Sequence, residues 1–146
     1  MKRKASDFKP GITIRKHALQ HAAVLLRRFA YEVNRTARLG NVDAIHDLRV
    51  SIRRLIQCLR VFEQFFPRGK ATKVRRSLKE LMTQAAEVRN RDVALVLLRK
   101  AGIPAGSAAV EKLTQERERD HRALLAQLEG WSRHGSFKKW RAQLGL

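Results

Sequence analysis

Acidic residues are scarce, with 13 Asp and Glu against 32 Lys and Arg and a formal net charge of +19 over 146 residues. That excess goes well beyond what solubility requires and builds a self-repelling positive field, so a polyanionic partner is expected. Nucleic acid, an anionic membrane surface and inorganic phosphate chains all qualify, because each releases counterions to a cationic surface. Cysteine is almost absent. The single one, Cys58, excludes an intramolecular disulfide and a cysteine-built zinc site. Its neighbours Leu55, Leu59 and Phe62 predict a small buried side chain in preference to a reactive thiol. No run approaches the roughly 20 apolar residues that cross a bilayer, and the basic N-terminus lacks the apolar core of a secretory signal, so a cytoplasmic protein is expected. Aromatic residues are few, at six Phe, two Trp and one Tyr, which is thin for a surface that stacks nucleobases.

What is present folds. A hydrophobic content of 44% in a chain of this length supports one domain, with roughly two thirds of the unfolded surface buried. Residues 1–12 are expected to form a flexible basic arm and residues 13–146 a single helical domain. Thr13 is placed to cap a first helix reaching about Leu39, with Leu19, Ala22, Leu26, Phe29 and Val33 on its apolar side. Gly40-Asn41 ends that helix and caps a second, expected to run to Phe66 before Pro67-Arg68-Gly69. A third begins near Lys70 and carries Val74, Leu78, Leu81, Met82 and Ala85; Val88 to Lys100 continues it, straight or kinked near Asn90. After the break at residues 102–107, a fourth is expected over Ala108 to Leu128, with Leu113, Leu124 and Leu128 inward and the run Glu116 to Asp120 solvated. Gly130 and Gly135 bracket a link to a short helix from Phe137 to Leu144, where Trp131, Phe137 and Trp140 are expected to pack as an end cap. No strand-like alternation is present, so the fold class is all-α: an antiparallel helical bundle of four long helices plus a short C-terminal one.

The cations are patterned. On a helix turning about 100° per residue, His46, Arg49, Arg53 and Arg60 fall within roughly 60° of one another, away from the apolar sector of Ile45, Leu48, Ile52, Leu55, Leu59 and Phe66. On the first helix, His17, His21, Arg28 and Arg35 share the side opposite its apolar one. Arginine stays charged across the physiological range and offers a planar fork for two phosphate oxygens, so repeated guanidinium groups match a repeated anion. His46 opens the stripe; phosphate contact is the favoured role, beside a structural hydrogen bond or metal ligation. His17 and His21 have i, i+4 spacing but lack the intervening glutamate of a His-Glu-x-x-His site, so anion contact is preferred over metal. Surface or structural roles suit His121 and His134. In Val88-Arg89-Asn90-Arg91-Asp92-Val93, Arg89 and Arg91 add cations, while Asp92 is suited to orient Arg91 or an arginine of another helix. Neither a P-loop nor a Ser-x-x-Lys motif occurs, and no carboxylate cluster suggests Mg²⁺ chemistry. Binding without catalysis, and without a cofactor or metal, is the expectation.

Ile45-His46-Asp47-Leu48-Arg49-Val50-Ser51-Ile52-Arg53-Arg54-Leu55, followed by Leu59-Arg60-Val61-Phe62, resembles the signature helix of the CHAD family, the conserved histidine alpha-helical domain. Val88 to Leu95 is similar to its second, Arg-Asp signature, and the agreement extends from about His17 to Leu128. The resemblance implies an all-helical domain that binds inorganic polyphosphate on a basic surface or channel, in some members at polyphosphate granules. It matches the signature histidine to His46, the signature arginines to Arg49, Arg53, Arg54 and Arg60, and the Arg-Asp pair to Arg91 and Asp92. Family members are commonly longer, with two related helical halves, and this sequence resembles the first; a homodimer is therefore expected, a second copy standing in for the other half. Non-sequence-specific nucleic-acid binding is the main alternative, and a polyphosphate-processing enzyme the next.

Overall fold

The computed structural model describes residues 10–146, which form α1 (Pro10–Leu39), α2 (Val42–Val61), α3 (Lys70–Lys100), α4 (Ala108–Arg133) and α5 (Ser136–Leu144), with a 3₁₀ turn at Glu63–Phe65. Among the described residues there is no strand. The expected arm lies outside the described residues as far as residue 9, and residues 10–12 belong to α1. That helix starts at Pro10 instead of after a Thr13 cap, consistent with proline's fixed φ and missing N–H at a first helical position.

The α1–α2 corner needs its glycine twice. Gly40 has φ +57, and a Cβ there would come within 3.0 Å of the His121 ring. The His121 Nε2–H donates to the Gly40 carbonyl at 2.6 Å, which assigns this histidine a structural role and ties α4 to the corner. Asn41 then caps α2, its side chain accepting from the Ala44 amide at 2.8 Å. Thr36 Oγ donates to the Ala44 carbonyl at 3.2 Å across the same corner.

Around the bundle α1 touches α2 and α4, and α3 touches both α2 and α4, so the four long helices close a ring. Leu26, Phe29 and Val33 meet Ile45, Leu48, Ile52, Leu55 and Leu59 in the core, and α3 adds Val74, Leu78 and Ala85. α5 closes one end: Phe29 lies 5.0 Å from Trp131 edge to face and 5.7 Å from Trp140 in parallel, with Phe137 packed alongside.

The ends of α2 and α4 differ from expectation, and α3 takes the straight one of its two expected forms. α2 ends at Val61 and the chain tightens into the 3₁₀ turn, because Phe66 precedes Pro67 and must be extended, at φ −98 and ψ 156. Phe66 is buried nonetheless, delivered by the turn and not by the α2 face. α3 is one uninterrupted helix through Asn90. α4 runs through Gly130 to Arg133, and only His134 and Gly135 separate it from α5. His134 Nδ1–H donates to the Gly130 carbonyl at 2.6 Å, closing that end.

One feature reaches beyond the core. No residue of α3 after Val88 is buried, nor any of α4 before Leu124, so the far halves of these helices form a two-helix arm. Leu113, expected to face inward, is only partly covered there.

Candidate anion-binding face

Every third or fourth residue of α2 is drawn into the core, which leaves its polar residues on a broad outer face with two flanks. Arg49 lies on the flank toward α3 and Arg54 on the flank toward α1, about 140° apart around the helix axis. The basic stripe therefore serves two different grooves.

On the α3 side, Arg49 is half-buried, and its Nε is shut off from solvent with no hydrogen-bond partner among the described residues. Burial lowers its guanidinium below the ordinary value, and the charges of Arg53 and Arg89 lower it further. α2 supplies Arg49 and Arg53 one turn apart, and α3 supplies Arg89 from its partly buried flank. Among the described residues none of these three makes an ion pair with a carboxylate. Three cations are thus held together with no counter-charge, an arrangement that an anion would relieve.

On the α1 side the charges are partly neutralised. Arg28 reaches Glu32 at 2.6 Å, and Arg35 bonds Asp47 at 2.6 Å and Glu32 at 3.3 Å. These bonds, the one to Asp47 foremost, raise Arg35 above its usual value. Glu32 is fully buried and was not anticipated as part of the site; its spacing of four from Arg28 and three to Arg35 was the available signal. His46 is exposed and shares a hollow of about 300 Å³ with Arg28, Asp47, Val50, Ser51 and Arg54. His17 and His21 stack in parallel with ring centres 5.9 Å apart, and the His17 and Phe62 ring centres lie 6.4 Å apart with the planes near perpendicular. Arg60 is exposed on the outer face and donates to Gln57 at 3.1 Å.

Arg89 and Arg91 part company because two residues turn a helix by about 200°. Arg91 faces α4, where Glu116 holds it at 2.9 Å and Asp120 at 3.4 Å. Asp92 accepts from the Arg117 Nε at 2.8 Å, so of the two partners open to it the structure selects the arginine on another helix. Burial is the largest single influence on Arg117 and lowers it, but the bonds and charges of Asp92 and Glu118 together outweigh it and the net direction is upward. The run Glu116 to Asp120, expected as plain solvated surface, thus supplies the clasp of the arm. Among the described residues no group of three or more His, Cys, Asp or Glu is placed to hold a metal, and no helix is long and apolar enough to cross a membrane.

An all-helical ring whose second helix carries clustered, uncompensated guanidinium groups defines a basic domain suited to phosphate groups. The chain belongs to the CHAD domain family, whose model matches residues 20–144 and so takes in α5 as well as the four long helices. No curated protein and no solved structure matches the chain.

Proposed function

We propose that this protein binds inorganic polyphosphate and does so without catalysis. The observation that carries the reading is the cluster of Arg49, Arg53 and Arg89, with a buried Arg49 Nε that has no partner among the described residues. A phosphate chain would supply oxygens at intervals along α2, engaging this cluster, Arg60 and, over the crest of the helix, His46 and Arg54. His17, His21 and Arg28 extend the positive surface on α1. Arg35 and Arg91, tied to carboxylates, hold helices in register and contribute to the field at longer range. Asp92 orients Arg117 and with it the arm.

Nucleic acid presents the same phosphates, but most of the aromatic groups that would stack bases are spent elsewhere: Trp131, Trp140 and Phe29 pack on one another in the end cap, and the exposed ring of Tyr31 on α1 is covered by Arg28 at 5.3 Å. Calorimetric titration with long-chain polyphosphate, in competition with single-stranded RNA, tests the reading. Polyphosphate is expected to displace the RNA and to stay bound at salt concentrations that release it; the opposite ranking would assign the face to nucleic acid. Incubation with Mg²⁺ is expected to leave chain length unchanged, and phosphate release lost on His46→Ala would restore the enzyme reading.

A homodimer completes the proposal. Val93, Val96 and Leu97 are exposed on the far half of α3, and a second copy would bury them further. The cytoplasm, at polyphosphate granules, is the proposed location.

A further inference from the structure

One hollow between the first two helices does not suit a phosphate chain alone. It is a groove of about 660 Å³ between α1 and α2. Its floor is apolar, built from Leu25, Cys58, Val61 and Phe62, while His21, Arg53, Arg54 and Gln57 stand around it. Inorganic polyphosphate has nothing to place on that floor. Val61 is 53% exposed, a large aliphatic side chain left in water at the edge of the groove. Among the described residues no carboxylate lines it, so the charged part of that lining has one sign.

We propose that the α1–α2 groove binds a free single-chain anionic amphiphile, an aliphatic chain with a phosphate or carboxylate head. The chain lies on Leu25, Val61 and Phe62, and the head meets Arg53 and Arg54. Charge complementarity selects the head, and the absence of hydrogen-bonding side chains among Leu25, Cys58, Val61 and Phe62, the weak Cys58 thiol apart, selects an aliphatic body over a nucleobase, whose polar edge would lie desolvated against them. A basic segment of this chain would meet like charge at the rim. A lipid within a bilayer shares the same chemistry, but only a free molecule can lay its chain along Leu25, Val61 and Phe62 while its head meets Arg53 and Arg54.

Arg53 stands at this groove and also in the cluster with Arg49 and Arg89. The two ligands are therefore expected to sense one another, yet the floor residues belong to the groove alone, so the two readings fail separately.

The test is calorimetric titration of the full chain with decyl phosphate below its micelle threshold, beside inorganic phosphate and the uncharged decyl maltoside. One equivalent of decyl phosphate is expected to bind at least about tenfold more tightly than either control. Val61→Asn, at an exposed position where helicity is expected to survive, should weaken decyl phosphate by about tenfold while moving polyphosphate affinity less than about twofold. Arg54→Gln should weaken it similarly. Decyl phosphate no tighter than inorganic phosphate, or indifferent to both substitutions, would overturn the proposal. So would binding only to anionic vesicles, tightening on Phe8→Ser that points to the chain's own leading segment, or a change of sedimentation on ligand addition that points to a second copy.

Discussion

At the scale of single residues, the cost of gathering arginines without carboxylates is the main physical fact about the site. Arg49 is held partly out of water beside Arg53 and Arg89, so the folded chain carries repulsion that an anion converts into charge-assisted bonds. Hydrogen bonds to charged groups contribute about 1.5–3 kcal/mol each. Arg49→Ala is therefore expected to weaken polyphosphate binding by about one to two orders of magnitude and, having removed the repulsion, to leave thermal stability unchanged or raised. Titration calorimetry with differential scanning calorimetry checks both halves. Cys58 offers a pH-dependent counterpart. Burial pushes its thiol from 9.0 up to about 11. Because the folded value lies above the unfolded one, the neutral thiol's contribution is intact below pH 9 and is lost as the pH climbs toward about 11. Cys58→Ser is expected to flatten that alkaline part of the stability curve in urea melts at pH 8 to 11. Gly40→Ala should be costly, since a positive φ without glycine costs about 1–2 kcal/mol before the contact with His121 is counted; a fall in melting temperature checks it.

At the scale of elements, the α3–α4 arm depends on polar contacts because its core contacts run out after Val88 and before Leu124. Arg91 to Glu116 and Asp120, with Arg117 to Asp92, make a reciprocal exchange of charge between the two helices. Exposed pairs contribute under about 1 kcal/mol each, and these partly buried ones more. Asp92→Asn with Arg117→Gln is expected to show a coupling on the order of 1 kcal/mol in a double-mutant cycle. Amides of residues 90–100 should exchange faster than those of α2, and faster still in Asp92→Asn, by opening of the arm alone. Sequence periodicity made α1, α2 and α3 legible nearly to their ends, and Gly40-Asn41 marked its corner correctly. What it misjudged was chemistry across helices: the run Glu116 to Asp120 has opposite charges at i, i+3 along its own face, Glu116 with Arg119 and Arg117 with Asp120, and only the approach of α3 turns it into a clasp.

At the scale of the whole molecule, net charge sets how the protein meets any polyanion, and the proposed dimer would rest on the exposed aliphatic side chains of the arm. Binding driven by counterion release should weaken steeply and linearly on a logarithmic salt scale. Removing Arg49, Arg53 and Arg89 together is expected to flatten that slope as well as lower the affinity. Leu97 is 60% exposed on the arm, and Leu97→Glu is expected to shift sedimentation from dimer to monomer with helicity unchanged. A monomer at working concentration before any substitution, with and without polyphosphate, would remove the dimer from the proposal.

The sequence by itself determined the helices and the family, because apolar spacing and the His46-to-Phe62 and Val88-to-Leu95 patterns are local properties of the chain. It also determined that cations would crowd one side of α2. Tertiary structure alone decided which cations remain free. Whether a guanidinium is neutralised depends on what an adjacent helix brings within about 4 Å, and helical phase cannot show that Arg35 finds Asp47, that Arg91 finds Glu116, or that Arg49 meets Arg53 and Arg89 and, among the described residues, no carboxylate.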